Sequence, residues 1–186
     1  MTELYERLFD LEACLPARNW ARNNDFASLE DAWNRCPQAE WLLWVAVTLG
    51  VPRAKTLRVA ALCARTASAQ WGEYAEHLED LLRALEQGKH GGEFIDDVIA
   101  ARDDANRRFK ECLVLHEKAR AAQYDQAFYA AYAAVSAHRA FPVGASGDSV
   151  SMSARFAIYA QLQEDRDAHN ERLCALIREN ISWEDI

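Results

Sequence analysis

The chain has 186 residues, of which 51% are hydrophobic and only seven are Gly and four Pro, a composition that favours helices and argues against a disordered protein or a β-sandwich. A chain of this length can bury a complete core without metals or disulfides, so we expect one helical domain spanning residues 1–186. The formal net charge is −8 and no segment forms a basic stripe, which disfavours nucleic acid as a partner.

Four short helices are predicted before residue 50. The first has apolar residues at a helical spacing, namely Leu4, Tyr5, Leu8 and Leu11. Pro16 suits the first turn of the second helix. Ser28, with Asp31 three residues later, resembles a capping box at the start of the third. The fourth, over 38–49, is apolar on all sides and closed by Gly50, which predicts a position in the middle of a bundle.

Longer helices are predicted in the rest of the chain. Their ranges are 53–71, 73–87, a periodic run from 94 to 116, one near 122–140 and one near 150–179. A Gly/Ser-rich loop, FPVGASGDS, separates the last two, and no strand pattern is present. We therefore predict an all-α fold, a multi-helix bundle of about seven to nine helices with short N-terminal helices packed on long C-terminal ones.

The cysteines and the N-terminus predict a cytoplasmic protein. The five cysteines are scattered and never form a CxxC pair, which is typical of free thiols in a reducing compartment. The opening residues MTELYERLFDLEAC carry acids where a signal peptide carries bases. No run reaches the roughly 18 apolar residues of a membrane span, so we expect no membrane partner.

No motif predicts catalysis or a metal centre. None of the five histidines follows a Glu at the three-residue spacing of di-iron bundles, and none is paired with a second His four residues away. Cys112 and His116 lie four residues apart on the apolar stripe, which we interpret as a buried thiol and a core histidine. The segment VGASGDS lacks the Lys of a phosphate-binding loop. We expect no catalytic residue, no metal and no cofactor.

Four aspartates form the most distinctive charged pattern. Asp96 and Asp97 precede Asp103 and Asp104 by seven residues, so both pairs project from a similar side of one helix. They are either an ordinary solvated face or an acidic ridge that contacts a basic partner. General acid–base catalysis would need a pocket that raises a carboxylate pKa.

Two arginines stand out on an otherwise small and apolar helix. Arg58 and Arg65 are seven residues apart in LRVAALCAR and share one helical face. We interpret them as structural core residues that pair with Glu40 or with other acids and fix the helix register. The alternative is that they bind a carboxylate or phosphate of a ligand.

Three of the six tryptophans lie within sixteen residues. Trp41 and Trp44 are neighbours on the helix that is apolar all round, and Trp33 precedes them across the turn at Pro37. We interpret all three as structural core residues that wedge the short helices against the long ones. The alternative is an exposed aromatic surface that binds a partner.

The run LPARNWARNNDFASLEDAWNRCPQAEWLLWVAVTLG, followed by RVAALCAR, resembles the N-terminal signature of the all-helical immunity proteins of bacterial polymorphic toxin systems, of the type called immunity protein five-like. The family carries an AW..C..GDWLLWLA element and later Ala/Tyr-rich helices, which QYDQAFYAAYAAVSA resembles. The matching residues are Ala32, Trp33, Cys36, Trp41, Leu42, Leu43, Trp44 and Ala46. Ala39 and Glu40 replace the usual Gly-Asp, which keeps the charge without the turn glycine. The resemblance covers residues 11–70.

The resemblance implies a non-enzymatic protein that binds and neutralises a cognate toxin. An acidic surface that includes Asp96, Asp97, Asp103 and Asp104 would speed the capture of a basic toxin. Two alternatives remain open. One is a small-molecule-binding domain with a pocket lined by Trp, Tyr, Arg58 and Arg65, which an apolar cavity of roughly 300 Å³ or more would favour. The other is a regulatory domain that binds another cytosolic protein.

Overall fold

The computed structural model describes residues 3–140 and 147–186, and all regular secondary structure in these ranges is helical, with no β-strand. The predicted all-α bundle is confirmed, with ten α-helices in the described ranges where seven to nine were predicted. They are α1 (Glu3–Asp10), α2 (Leu15–Arg22), α3 (Leu29–Arg35), α4 (Ala39–Thr48), α5 (Arg53–Arg65), α6 (Ala75–Glu86), α7 (Ile95–Val114), α8 (Lys118–Arg139), α9 (Gly147–Tyr159) and α10 (Arg166–Asn180). The predicted Gly/Ser-rich loop falls largely on residues 141–146, outside the described residues. Within the described part, no helix has the length and apolar character needed to cross a bilayer.

Two predicted helices are shorter than expected. The helix predicted over 53–71 ends at Arg65 and is followed by two short 3₁₀ turns before α6. The helix predicted over 150–179 is two helices, α9 and α10, which are separated after Tyr159. The break coincides with the polar run QEDRD, which offers no apolar side to bury. Arg166 stabilises the end of α9, because its Nη2 donates to the carbonyl of Tyr159 at 3.1 Å.

The predicted helix ends are confirmed where short-range chemistry sets them. The Ser28 hydroxyl accepts a hydrogen bond from the N–H of Asp31 at 3.0 Å, which starts α3. Gly50 follows α4 with φ +89°, in the left-handed region that glycine adopts without a Cβ penalty. The next N–H, of Val51, then reaches back to the carbonyl of Ala46 at 2.9 Å.

A main core runs through α3 to α10, with α8 at its centre, packed against α7 on one side and α9 on the other. The core face of α8 consists mostly of small residues, which lets both neighbouring helices approach closely. Its buried residues are Ala121, Ala127, Ala130, Ala131, Ala133, Ala134, Val135, Ser136 and Ala137.

A second, smaller hydrophobic cluster holds the N-terminal helices. Leu8, Ala13 and Ala21 form its buried centre, and Trp20 and Trp44 pack against it with Leu4 and Val45. Helices α1 and α2 therefore pack on each other and on α4, while α4 makes the expected contact with the later helix α9. The seam between the two clusters lies along α4.

Candidate functional site

Five of the six tryptophans line one cavity of about 220 Å³ at this seam, which we call the tryptophan cavity. Its indoles are Trp33, Trp41 and Trp44 from α3 and α4, with Trp20 from α2 and Trp183 near the C-terminus. Trp33 is buried as expected. Trp41 and Trp44 were predicted to be core residues but are only half-buried. Both border the cavity, because the space between the two hydrophobic clusters is not filled by side chains.

The remaining walls of the tryptophan cavity are mostly aliphatic. They come from α1 to α4, from the turn between α1 and α2 and from the end of α4, and include Leu4, Leu8, Leu11, Ala13, Ala17, Leu29, Ala32, Leu42, Val45 and Leu49. Trp20 is held by two rings, since its centroid lies 4.7 Å from that of Phe26 and 6.1 Å from that of Trp41. These contacts fix the position of one wall before any ligand arrives.

One ion pair contributes the polar part of the tryptophan cavity wall. Arg155 of α9 donates two hydrogen bonds to the carboxylate of Glu40 on α4, from Nε at 2.5 Å and from Nη2 at 3.2 Å. Arg7 of α1 and Glu12, in the turn after α1, also line the cavity, and both are exposed. The four charged groups in the lining therefore balance to zero.

The two arginines predicted to be in the core have different positions. Arg58 is exposed, so its assignment to the core is wrong. Arg65 is half-buried and donates to Glu86 and Glu79 of α6, each at 2.5 Å, and these bonds raise the pKa of Arg65. Helix α6 thus covers the part of α5 that carries Arg65. Neither arginine pairs with Glu40 or lines the tryptophan cavity.

The four aspartates do not form a uniform ridge. Asp96 and Asp97 are exposed on the first turn of α7. Asp103 accepts hydrogen bonds from Arg102 at 2.6 and 2.8 Å. Asp104 is half-buried and accepts a hydrogen bond from the hydroxyl of Tyr74 at 2.8 Å. That bond, followed by those from the neighbouring arginines, lowers the pKa of Asp104.

The interpretation of Cys112 and His116 as a buried pair is correct for Cys112 and wrong for His116. Cys112 is buried, and its thiol donates to the carboxylate of Glu117 at 3.8 Å. His116 is exposed with φ +60°, beyond the end of α7 at Val114, because the apolar face of the helix ends before it. Among the described residues, no group of three or more His, Cys, Asp or Glu side chains is placed to hold a metal ion.

A cluster of rings on α8 and α9, which we call the aromatic surface, was not predicted from the sequence; four of its rings are half-buried and Tyr159 is exposed. It consists of Phe128, Tyr129, Tyr132, Phe156 and Tyr159. The centroids of Tyr132 and Phe156 are 4.3 Å apart, and Tyr129 and Phe156 stack at 6.1 Å. The signal available in the sequence was the grouping of three aromatic residues, Phe128, Tyr129 and Tyr132, within five positions of the predicted helix near 122–140.

Two arginines flank the aromatic surface. The guanidinium of Arg102 lies 5.3 Å from the ring centroid of Tyr132, and that of Arg166 lies 5.2 Å from that of Tyr159. Both distances are within the range of cation–π attraction. Asp125 on α8 is half-buried, and burial raises its pKa while the charge of Arg166 opposes that rise. The aromatic surface is therefore a rigid set of rings with charged groups at its edges.

Comparison with known proteins identifies no relative of this chain. No family model, no curated protein and no solved structure matches the chain.

Proposed function

We propose that this protein is a non-enzymatic immunity-type protein that binds and neutralises a cognate bacterial toxin in the cytoplasm of the producing cell. The resemblance over residues 11–70 supports the class of protein. The aromatic surface is the observation that carries the proposal of a protein partner, because Tyr and Arg are enriched among the residues that dominate binding energy at interfaces.

The aromatic surface is organised before binding. Contacts among Tyr129, Phe156 and Tyr159 hold the rings in place, so ordering them on association costs little conformational entropy. A tyrosine combines a large apolar face with a hydroxyl that forms hydrogen bonds, which suits a contact that must exclude water and still be specific. Arg102 and Arg166 contact rings at the rim through cation–π attraction, and their guanidiniums already donate to groups of this chain.

The acidic charge of the protein supports a basic toxin. The net charge of −8 attracts a cationic partner over a distance set by the salt concentration. Of the four predicted contact residues, Asp103 and Asp104 are already bonded to arginines, whereas Asp96 and Asp97 are exposed and make no ion pair within the described residues. Asp96 and Asp97 are therefore the members of the predicted set that remain available to a basic partner.

The proposal implies a toxin gene next to this one, and co-expression with the product of that gene tests it. We expect the wild-type protein to restore growth and to co-purify with the toxin. The double substitution Tyr129→Ala and Tyr159→Ala removes two rings of the aromatic surface and should weaken toxin binding at least tenfold. Phe9→Ala is the control, because Phe9 on α1 is 56% exposed, more than the 39% of Tyr159, and lies outside this surface.

Three outcomes separate the parts of the proposal. If the wild-type protein neither restores growth nor co-purifies with the toxin, the proposed function is wrong. If it does both and the tyrosine variant behaves as wild type, the aromatic surface is not the contact. In that case, loss of binding by Asp96→Lys with Asp97→Lys would assign the contact to the first turn of α7.

A further inference from the structure

We propose that the tryptophan cavity is a binding site for a small uncharged aromatic molecule of one or two rings, a property that goes beyond toxin binding. The volume points to this size. An apolar cavity of about 150 Å³ accepts benzene, and drug-sized ligands occupy about 300 Å³ or more. At about 220 Å³ the tryptophan cavity lies between these limits, below the size that would have favoured a drug-like ligand.

The lining determines the aromatic character of the ligand. Five indoles surround the space, and aromatic rings attract one another in offset or edge-to-face arrangements. Trp20 is already held between Phe26 and Trp41, so this wall needs no rearrangement to receive a ring. Aliphatic side chains such as Leu8 and Leu42 form much of the remaining wall and offer a ligand no hydrogen-bonding groups of their own.

The charges of the lining determine that the ligand is uncharged. Glu40 and Arg155 satisfy each other, so neither presents an unpaired charge to the cavity. Arg7 and Glu12 add one charge of each sign to the lining, so the formal charges of its four charged residues sum to zero. A charged ligand would give up its hydration without gaining a counter-charge.

The location of the cavity predicts what binding does to the protein. The cavity lies between the N-terminal cluster and the main core, and its lining includes residues of α1, α2, α3, α4 and α9. A ligand there contacts both clusters and binds only the state in which they are assembled. Binding should therefore raise the melting temperature, and the rise should continue with the logarithm of the ligand concentration above the dissociation constant.

Indole is the probe, and the full-length protein is titrated by calorimetry. We expect saturable binding with a dissociation constant at or below about 1 mM. Indole-3-carboxylate, which keeps the rings and adds a charge, should bind at least tenfold more weakly.

Cys14 gives a second readout, because it lines the cavity and is the only exposed cysteine of the five. Indole should slow its modification by N-ethylmaleimide.

Ala17→Leu is the variant that fills the cavity, since Ala17 is buried in α2 and lines it. It should reduce indole affinity at least tenfold. Ala119→Leu, the same change at an exposed site on α8, is the control and should bind as wild type. If Ala17→Leu does not fold, Leu11→Trp at the half-buried rim tests the same expectation.

The proposal is overturned if indole does not bind saturably, if Ala17→Leu or its replacement binds indole as wild type does, or if Cys14 is not protected. Equal affinity for indole-3-carboxylate would overturn the uncharged class of ligand. The tyrosine variants of the aromatic surface should keep indole binding, so failure of toxin binding and failure of ligand binding are distinguishable.

Discussion

Glu40 on α4 and Arg155 on α9 are 115 positions apart in sequence, and their side chains form a two-bond ion pair with Nε–Oε2 and Nη2–Oε1 distances of 2.5 and 3.2 Å. The pair connects two helices at the wall of the tryptophan cavity, and it is partly shielded from water by the same side chains. An ion pair with two hydrogen bonds and limited solvent contact couples more strongly than an exposed one.

The first prediction concerns this pair. A double-mutant cycle with Glu40→Gln and Arg155→Met should give a coupling of about 1 kcal/mol in the free energy of unfolding, measured by urea denaturation. The exposed pair of Asp31 and Arg35, one turn apart on α3, is the control and should couple by about 0.3–0.5 kcal/mol. A coupling no larger than that of the control would contradict the assignment.

The second prediction separates the two kinds of tryptophan. Trp33→Ala should lower the free energy of unfolding by about 3–5 kcal/mol, because it leaves a void in the main core. Trp44→Ala should cost clearly less, because Trp44 is half-buried whereas Trp33 is only 5% exposed. Denaturant unfolding of both variants measures the difference, and equal costs would show that Trp33 is no more important to the core than Trp44.

The third prediction concerns His169, which is 3% exposed between Thr66 and Arg172. Arg172 Nη2 lies 3.2 Å from Nδ1 and can only donate, so Nε2 carries the proton and donates to the Thr66 hydroxyl at 2.9 Å. Burial, and then the charge of Arg172, lowers the pKa of His169 to about 4. The buried imidazole is therefore neutral at physiological pH.

The direction of the pH effect follows from this lowered pKa. The unfolded histidine has a pKa of about 6.5, so the unfolded state takes up the proton first as the pH falls. The contribution of neutral His169 is fully present above pH 6.5 and is lost progressively towards pH 4, up to about 3 kcal/mol. His169→Gln should remove that part of the pH dependence in urea unfolding between pH 8 and 4. His77→Gln, at an exposed site, should keep the wild-type slope.

The fourth prediction concerns the end of the α7–α8 hairpin. Leu113, Val114 and Leu115 are 51%, 78% and 65% exposed. Replacing Val114 and Leu115 with Ser should change the free energy of unfolding by no more than about 0.5 kcal/mol, because neither side chain packs in the core. The same change should reduce concentration-dependent light scattering, since exposed apolar patches promote association. A large loss of stability would contradict their exposure.

The sequence predicts the helical class and several helix ends because both depend on neighbouring residues. Ser28 and Gly50 act within one turn, and their roles are visible in the sequence itself. The break after α9 is harder to predict. Leu162 and Leu173 are eleven residues apart, about three helical turns, so the apolar pattern resumes in phase beyond the gap.

The candidate sites were harder to predict because they depend on distant residues. The helical repeat indicates which faces of α4 are apolar, but the partner of Glu40 lies on α9. Likewise, Arg58 and Arg65 share one face of α5, and only the position of α6 decides that one is bonded and the other exposed. A cavity is space left over by packing, so no repeat in the sequence indicates its presence.

The separate N-terminal cluster has a consequence for cooperativity. Because α1 and α2 are held through a small group centred on Leu8 and Ala21, they can open while the main core stays folded. Their amide protons should then exchange with deuterated solvent through a low-energy partial opening, and those of α8 only through global unfolding. The molecule would behave as two foldons, with the indole-rich seam as the boundary between them.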